Sequence, residues 1–147
     1  MTVRELVKRK PSDVITVPTT ATVPEAARLL MRNGVGGLPV VDAAGELVGF
    51  VSERRLVDAL DRHGREVHDQ RVGTLMDSPA PVCGAEDPIQ KVMERMTRER
   101  LRHLVVVDGA RIKGVISVGD LVKNRLEQLE TETGVLRDYV AAQRARG

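Results

Sequence analysis

The seven residues GVISVGD, numbered 114–120, decide the fold, because a closely similar phrase, GFVSERR, stands earlier in the chain at residues 49–55. Each phrase begins with glycine, continues with two apolar residues and has serine at its fourth position. The seventh position differs: it is Asp120 in the later copy and Arg55 in the earlier one. Two copies of one phrase predict an internal repeat in which each copy folds as the same supersecondary unit.

The similarity continues on both sides of the phrase. Aligning the chain with itself places apolar residues together at Val23 and Ile89, Ala26 and Val92, Ala27 and Met93, Leu30 and Met96, Val35 and Leu101, and Leu38 and Leu104. Residues 13–17, DVITV, predict a strand, and Thr22 predicts the N-cap of a helix whose apolar residues recur at helical spacing. Each copy is predicted to be a β-α-β-β-α unit. The whole is then an α/β (α+β) fold of two repeats packed in pseudo-two-fold symmetry, plus a C-terminal helix.

The predicted organisation has four parts: repeat 1 at residues 1–60, a linker at 61–74, repeat 2 at 75–127 and a C-terminal helical extension at 128–147. The linker is assigned because this stretch is polar and contains two glycines. It also holds His63 and His68, whose spacing suits no common pair of metal ligands on a helix. Solvated linker histidines and no metal site are therefore expected.

Composition limits the classes of function. The chain has 147 residues, of which 41% are hydrophobic and 30% charged, so it has enough apolar residues for a folded core. A net charge of +2 and the near absence of aromatic residues (no Trp, one Phe, one Tyr) argue against nucleic-acid binding. Cys83 is the only cysteine, which excludes an intrachain disulfide, and no apolar run approaches the ~20 residues of a membrane span. Because the N-terminus shows no signal-peptide pattern, a cytoplasmic protein without membrane contact is expected.

Two β-α-β-β-α units that each close on glycine, two apolar residues and serine resemble the CBS domain family. The resemblance covers about residues 3 to 127 and rests on these motifs: VITV at 14–17, LPVVD at 38–42 and GFVS at 49–52 in the first copy, and LVVVD at 104–108 and GVISVGD at 114–120 in the second. It implies a tandem CBS pair (a Bateman module) of the stand-alone bacterial type. Such modules commonly form disc-shaped dimers and bind adenosine-containing ligands in clefts between the paired repeats.

Ser117 and Asp120 are the candidate ligand-binding residues of the second repeat, together with Val118 and Gly119 between them. They lie where a strand gives way to a helix, whose first backbone N–H groups have no internal partner and attract phosphate. The Ser117 hydroxyl can donate to a phosphate oxygen, and the Asp120 carboxylate can accept from two ribose hydroxyls. The same spacing also fits a capping box that only stabilises the helix. The resemblance favours the ligand site.

Two further stretches are implied to line the same cleft: Pro81, Val82 and Cys83 in the first strand of the second copy, and Arg102, His103 and Leu104 at the start of the next strand. The backbone of the first stretch would contact the adenine edge. Arg102 is either a phosphate partner or a surface arginine, and His103 either contacts the ligand or packs in a partly buried position. Cys83 is expected to be a small core residue rather than a reactive thiol.

The first repeat departs from this pattern. Arg55 stands in place of the aspartate, so the ribose acceptor is missing, and Gly36-Gly37 stand where the second repeat has Arg102-His103. A roomier and less basic second cleft is predicted there, formed by Ser52, Arg54, Arg55, Val17, Gly37 and Leu38. Arg55 either favours additional phosphate, favours a ligand without a ribose at that place, or is solvated. One cleft is thus expected to keep ribose recognition while the other is altered or vacant.

The C-terminal segment carries a heptad pattern. Its members recur at alternating spacings of four and three: Val122, Leu126, Leu129, Thr133, Leu136 and Val140. Gly134 interrupts this predicted helix at a cost of about 1 kcal/mol relative to alanine. The helix either folds back on its own domain or pairs with a second copy, and the disc-shaped dimer of the family favours the second. A homodimer through the CBS disc and the C-terminal helix is expected.

The leading functional hypothesis is a regulatory module that binds AMP, ADP or ATP and changes the conformation of its dimer. It would act on an effector protein that the sequence does not identify. NAD(H) and S-adenosylmethionine are alternative adenosine ligands, and a purely structural dimer with vestigial clefts is a further alternative. The sequence contains no Gly-rich phosphate loop, metal-ligand cluster or local Ser/His/Asp signature, so no catalytic activity is predicted.

Overall fold

Two repeats of the same architecture make up the computed structural model, which describes residues 1–9 and 14–146 and the side chains as far as Arg144. The elements follow in the order α1 (Val3–Lys8), β1 (Val17–Pro18), α2 (Val23–Asn33), β2 (Gly37–Val41), β3 (Leu47–Ser52), α3 (Glu53–His63), a 3₁₀ helix (Gly64–Asp69), α4 (Val72–Leu75), β4 (Val82–Gly84), α5 (Ile89–Glu99), β5 (His103–Asp108), β6 (Arg111–Ser117) and α6 (Val118–Arg146). The predicted β-α-β-β-α order is confirmed in both repeats, and so is the C-terminal helix. Asp13, the first residue of the predicted first strand, lies outside the described residues.

Each repeat contains one three-stranded mixed sheet, with the order β1-β2-β3 in the first and β4-β5-β6 in the second. The first strand of each sheet runs parallel to the second, and the second and third form an antiparallel hairpin. Gly37 lies opposite Ser52 in the first hairpin, and His103 lies opposite Ser117 in the second. The two hairpins therefore present equivalent strand ends, where many of the candidate site residues lie.

The first strand is shorter than predicted. The sequence indicated a strand over residues 13–17, but β1 contains only Val17–Pro18. The second repeat shows the reason, because there the N–H of Val105 donates to the Pro81 carbonyl at 2.8 Å and begins the parallel ladder. The residue of the first repeat that corresponds to Val105 is Pro39. Proline has no N–H to donate, so the ladder of the first sheet begins later.

The short helices α1 and α4 exchange places between the repeats. Val3 of α1 is buried in the core of the second repeat, and Val72 of α4 is buried in the core of the first. Equivalent backbone bonds fix the two helices: the Val3 N–H donates to the Asp87 carbonyl at 3.0 Å, and the Val72 N–H donates to the Ala21 carbonyl at 2.8 Å. Neither core is complete without a helix that precedes the other repeat in sequence, so the repeats are interlocked.

The segment predicted as a linker, residues 61–74, is helical over most of its length. It contains the end of α3, the 3₁₀ helix and most of α4, and it buries Val67 and Val72 in the first core. His63 and His68 belong to its exposed faces. A short amphipathic helix that shows mostly polar residues is easily mistaken for a connection when its few apolar residues are far apart. The division of the chain at these limits stays a prediction.

Two aliphatic cores hold the layers together. Leu38 in the first core and Leu104 and Ile116 in the second are almost fully buried, and burial of each such side chain contributes roughly 1.5–3 kcal/mol. The predicted N-cap of α2 is confirmed as a capping box: Thr22 Oγ1 accepts from the Glu25 N–H at 3.3 Å, and Glu25 Oε2 accepts from the Thr22 N–H at 3.1 Å. Local sequence therefore sets where this helix begins.

Helix α6 extends away from the second repeat. Leu121 and Asn124 in its first turns are buried, whereas the described side chains from Arg125 onward are exposed. Gly134 lies inside the helix and does not interrupt it. Within residues 1–9 and 14–146, none of the helices combines the length and the apolar character that crossing a membrane requires.

Candidate functional site

A cavity of about 420 Å³ lies between the two repeats. The first repeat lines it with residues before β2, at β3 and at the start of α3: Gly36, Phe50, Ser52, Glu53 and Arg54. The segment between α4 and β4, the loop between α5 and β5 and the first residue of β5 supply the rest: Asp77, Pro81, Arg100, Leu101, Arg102 and His103. The cavity combines residues that the sequence assigned to two separate clefts.

Equivalent strand ends bring these residues together. The Glu53 N–H donates to the Gly36 carbonyl at 2.9 Å, and in the second repeat the Val118 N–H donates to the Arg102 carbonyl at 3.0 Å. Each bond ties the start of a helix to the start of the neighbouring strand. Of the predicted site residues, the cavity contains Pro81, Arg102 and His103 from the first cleft and Ser52 and Arg54 from the second.

Arg100 reaches the cavity from a strained backbone position. It follows α5 with φ of 56°, in the left-handed region, and corresponds to Gly34, which follows α2 with φ of 61°. Within the described ranges, Arg100 is the one residue other than glycine with a positive φ. A side chain costs on the order of 1 kcal/mol in this region. The second repeat therefore carries backbone strain at a position that lines the cavity.

Positive charge dominates the cavity wall. Arg54, Arg100 and Arg102 line it together with the carboxylates of Glu53 and Asp77. All of these residues are exposed, so their charged groups are accessible to a ligand from solvent. Guanidinium groups bind phosphate through paired, charge-assisted hydrogen bonds. The wall is therefore suited to an anionic group such as a phosphate.

Two rings fill the space beside the glycine pair of the first repeat. The centroids of the Phe50 and His103 rings are 5.4 Å apart, and their planes are inclined by 37°. An added Cβ on Gly37 would lie 2.3 Å from the Phe50 ring, and one on Gly36 would lie 3.1 Å from Nε2 of His103. The glycines do not leave open space, as the sequence suggested, but make room for these rings. His103 both packs against Phe50 and lines the cavity.

Ser117 and Asp120 form a capping box at the start of α6. The Asp120 N–H donates to Ser117 Oγ at 3.1 Å, and the Ser117 N–H donates to Asp120 Oδ2 at 2.9 Å. Both residues are partly buried, and neither lines the cavity between the repeats. Val118 and Gly119 are exposed in the first turn of the helix. The capping alternative describes this geometry, and a ligand-binding role for these residues stays a prediction.

Arg55 holds α3 against the segment that contains α4. Its backbone N–H donates to Ser52 Oγ at 3.1 Å, and its Nε donates to the Leu75 carbonyl at 2.7 Å. Its terminal guanidinium nitrogens lie 3.7 Å from an Asp58 oxygen and 3.8 Å from an Asp77 oxygen. Of the roles considered from the sequence, neither an additional phosphate partner nor a freely solvated side chain describes these contacts. Arg55 joins structural elements outside the cavity lining.

Several predicted site residues are buried in the sheets instead of facing the cavity: Val17, Gly37, Leu38, Cys83 and Leu104. Burial raises the pKa of the Cys83 thiol to about 11, with a further contribution from Asp87. This confirms Cys83 as a core residue rather than a reactive thiol. Val82 is exposed, and its carbonyl accepts a hydrogen bond from the Arg95 guanidinium.

Sequence reasoning missed several cavity residues: Phe50, Glu53, Asp77, Arg100 and Leu101. Arg100 had a visible signal, because it occupies the position of the helix-ending Gly34 in the repeat alignment. Asp77 had no such signal in the sequence, since the packing of α4 against the first repeat brings it to the cavity. Among the residues that the structure describes, no group of three or more His, Cys, Asp or Glu side chains is arranged to hold a metal ion.

Comparison with known sequences reproduces the division into two repeats. Residues 3–62 and 72–127 match the family model of the CBS domain. The chain is 31% identical over 145 residues to inosine-5'-monophosphate dehydrogenase of Mycobacterium tuberculosis, in an alignment that covers 94% of this chain and 26% of that enzyme. The chain thus spans about a quarter of the length of the first curated relatives that it matches.

Solved structures share the fold over most of the chain. A CBS-domain containing protein from Agrobacterium tumefaciens gives a TM-score of 0.79 at 36% identity and covers 84% of this chain and 92% of that one. A CBS domain protein from Pyrobaculum aerophilum, complexed with AMP, gives a TM-score of 0.76 at 32% identity and covers 90% of this chain and 99% of that one. With both repeats matched in sequence and in structure, the chain belongs to the CBS domain family and contains a tandem pair of CBS domains.

Proposed function

We propose that this tandem CBS pair is a non-catalytic regulatory module that binds an adenosine nucleotide (AMP, ADP or ATP) between its repeats. The observation that carries the proposal is the cavity of about 420 Å³ with Arg54, Arg100 and Arg102 in its wall. Its volume lies within the ~300–1,000 Å³ typical of small-molecule sites. The relative from Pyrobaculum aerophilum, 32% identical to this chain, is complexed with AMP and supports the choice of ligand.

The three arginines are the proposed phosphate-binding groups. Arg54 comes from the first repeat, and Arg100 and Arg102 come from the second, so a phosphate held by all of them contacts both repeats. A hydrogen bond to a charged group contributes roughly 1.5–3 kcal/mol. Because the phosphate bridges the repeats, its binding favours the conformation in which the arginines converge.

The adenosine end is proposed to lie toward the start of α6. The bond between the Val118 N–H and the Arg102 carbonyl attaches this helix start to the cavity wall, and Pro81, directly before β4, lines the same cavity. The Asp120 carboxylate is the proposed ribose acceptor. The proposed second-repeat site consists of Ser117, Val118, Gly119, Asp120, Pro81, Val82, Cys83, Arg102, His103 and Leu104. The proposed weaker site of the first repeat consists of Ser52, Arg54, Arg55, Val17, Gly37 and Leu38.

Regulation requires the nucleotide to prefer one conformation of the dimer, because a ligand with equal affinity for two states shifts nothing. The repeats are proposed at residues 1–60 and 75–127, with 61–74 connecting them and 128–147 extending beyond them. The effector is proposed to be another protein, and the compartment is proposed to be the cytoplasm.

Thermal unfolding with added ligand tests the proposal. The chain is heated with AMP, ADP, ATP, NAD⁺, NADH or S-adenosylmethionine at ~1 mM. At this concentration, a ligand with a dissociation constant of ~10 μM stabilises the fold by roughly 2.7 kcal/mol. The expected result is a clear rise in Tm with an adenosine nucleotide, which Arg102→Ala removes. Arg98→Ala is the matched control and should keep the shift, because Arg98 is an exposed arginine at the end of α5 outside the cavity.

The alternatives give different outcomes. A larger shift with NADH than with AMP favours a dinucleotide, whose diphosphate and second ribose would use more of the arginine wall. S-adenosylmethionine gains little from the arginines, because its sulfonium carries positive charge. The absence of a shift with every ligand overturns the proposal. It would favour a structural dimer, for which the capping box of Ser117 and Asp120 is the supporting observation.

A further inference from the structure

Helix α6 carries an uncovered stripe, here named the seam: Val122, Leu126, Leu129, Thr133, Leu136 and Val140. The apolar members of the seam are between 40% and 62% exposed. The buried face of the helix is a different one, since Leu121 and Asn124 face the second repeat. Helix stability in proteins comes mostly from packing of an apolar face. The described part of the chain provides that packing only for the first turns of α6.

The heptad positions of the seam favour a parallel pair of helices. The a positions hold Leu126, Thr133 and Val140, and the d positions hold Val122, Leu129 and Leu136. Most of the a residues are β-branched and most of the d residues are leucine, which is the combination typical of parallel two-stranded coiled coils. In a parallel pair the polar Thr133, at the central a position, lies opposite its own copy.

The charges beside the seam are complementary in a parallel pair. Arg125 and Glu132 occupy g positions, and Glu130 and Arg137 occupy e positions. Each g residue of a parallel coiled coil faces the e residue of the following heptad on the other helix. Arg125 then faces Glu130 of the partner subunit, and Glu132 faces Arg137 of the partner subunit. The two-fold symmetry of the dimer repeats both pairs.

An antiparallel pair centred on the middle of the seam is less favourable. Residues at g positions then face g positions, and residues at e positions face e positions. Glu132 meets Glu132 of the partner subunit, and Lys123 meets Arg137 of the partner subunit, so both contacts join like charges. Glu130 likewise meets Glu130 of the partner subunit. Charge therefore selects the parallel direction.

The charges of Glu132 and Arg137 are not paired along their own helix. The positions three and four residues from Glu132 are Gln128, Leu129, Val135 and Leu136, and those from Arg137 are Thr133, Gly134, Val140 and Ala141. Ion pairs within a helix form at these spacings, and none of these residues is charged. An oppositely charged partner for either residue at these spacings must therefore come from another helix.

We propose that two copies of the chain pair through α6 as a parallel two-stranded coiled coil, with the seam at its centre and the pairs Arg125–Glu130 and Glu132–Arg137 between subunits. Because Leu121 and Asn124 fix the first turns of α6 to its own domain, the parallel direction sets the two CBS pairs side by side at one end of the coil. An antiparallel coil would separate the two helix starts by roughly 40 Å, given a rise of 1.5 Å per residue. The proposal does not depend on nucleotide binding.

Disulfide trapping in the full chain distinguishes the two directions. In a parallel coil Val140→Cys lies beside its own copy, and mild oxidation should give a covalent dimer. In an antiparallel coil centred on the middle of the seam it lies beside position 122 of the partner. Val135→Cys is the matched control: Val135 is 64% exposed, lies at an outward c position and should not crosslink. The unsubstituted chain is a second control, because Cys83 is buried.

Two outcomes would overturn the proposed direction. One is the failure of Val140→Cys chains to crosslink with one another. The other is a mixture of Val122→Cys and Val140→Cys chains that crosslinks mainly between the two variants.

Exchanging two charges tests the register. Glu132→Arg sets arginine against Arg137 of the partner subunit at two symmetric places and should raise the dimer Kd about tenfold. Adding Arg137→Glu restores opposite charges and should return the Kd to within about twofold of the original. Sedimentation of the full chain gives both values and keeps any contact between the CBS domains constant. A double variant that associates no better than Glu132→Arg alone overturns the register.

Discussion

Arg100 and Gly34 follow corresponding helices of the two repeats in the same left-handed backbone conformation, with φ of 56° and 61°. Glycine adopts this conformation without steric cost, whereas arginine does not. The second repeat keeps the costly residue where its side chain lines the cavity between the repeats. Strain of this kind persists where the surrounding structure overrides it, often at ligand sites. Stability and ligand binding should therefore respond in opposite directions at Arg100.

Arg100→Gly should leave the free energy of unfolding unchanged or raise it by up to about 1 kcal/mol, because glycine relieves the strained φ. The same change should weaken AMP binding several-fold, because a guanidinium leaves the cavity wall. Denaturant unfolding and calorimetric titration measure the two effects. Arg98→Gly is the control: it should lower stability by up to about 1 kcal/mol, since it places glycine inside α5, and should leave affinity unchanged. A loss of stability in Arg100→Gly would contradict the assignment of strain.

Arg54 and Arg55 are neighbours in sequence with different contacts. Arg54 lines the cavity, whereas Arg55 donates to the Leu75 carbonyl at 2.7 Å. Arg54→Ala should weaken nucleotide binding with little change in stability. Arg55→Ala should lower the free energy of unfolding by about 1 kcal/mol, because a partly exposed charge-assisted hydrogen bond is lost, and should change affinity much less. Denaturant unfolding and AMP titration measure the stability and the affinity of both variants. Equal effects of the two changes on stability and on affinity would contradict the division of roles.

Local patterns in the sequence predicted the parts of the fold that depend on neighbouring residues. The duplicated phrase gave two β-α-β-β-α units, and Thr22 with Glu25 gave the capping box of α2. The short β1 depends on Pro39, which lies in another strand, so propensity along residues 13–17 overestimated it. The exchange of α1 and α4 between cores depends on contacts between residues far apart in sequence, and no periodicity of apolar residues along the chain indicates it.

The candidate site was predicted only in part for the same reason. Pro81, Arg102 and His103 were found because the family pattern extends to them, and the structure places them in the cavity. Phe50 and Asp77 pair through their backbones, with N–H to carbonyl distances of 2.9 and 2.8 Å, and this contact between segments far apart in sequence is not indicated by any local pattern. Arg102 and Arg54 were assigned to different clefts because the sequence does not show which strand ends meet.

The Gly37 backbone passes close to the Phe50 ring, so it should not tolerate a side chain. An added Cβ would lie 2.3 Å from the ring, and Phe50 is itself buried. Gly37→Ala should lower the free energy of unfolding by about 1–3 kcal/mol, the usual cost of overpacking. Adding Phe50→Leu should recover part of the loss, because the smaller side chain leaves room. A double variant that is as unstable as the sum of the two single changes would contradict this contact.

Substitutions at Gly134 and Gly34 distinguish the effect of backbone conformation from the effect of the space available to a side chain. An added Cβ meets no atom within 4 Å at either position, but Gly34 has a φ of 61° whereas Gly134 lies inside α6. Gly134→Ala should stabilise the helix by about 1 kcal/mol, which far-UV circular dichroism and amide exchange along α6 detect. Gly34→Ala should destabilise the first repeat by about the same amount, because alanine resists the left-handed region. Equal signs for the two changes would contradict the described backbone.

Asp120 poses a harder test, because it has a structural role whether or not it binds ribose. Its Oδ2 accepts from the Ser117 N–H at 2.9 Å, so Asp120→Ala should lower stability by about 1 kcal/mol through loss of the cap alone. If Asp120 also accepts from the ribose hydroxyls, the same change should weaken AMP binding at least about tenfold. Thr22→Ala is the control for the first effect, since it removes the cap of α2 at similar cost and lies away from the cavity.

Asp120→Asn separates the two roles of this residue. Asparagine keeps an oxygen that can accept from the Ser117 N–H, so the capping box survives and stability should fall less than in Asp120→Ala, by the roughly 0.3–1 kcal/mol that a negative charge contributes at a helix start. It removes the negative charge that strengthens hydrogen bonds from ribose hydroxyls, so AMP affinity should fall several-fold. Affinity that is unchanged in both Asp120→Asn and Asp120→Ala would restrict Asp120 to the capping box. The arginine wall would then be the whole of the recognition surface, and a ligand held by it alone would be selected for its phosphate and not for its ribose.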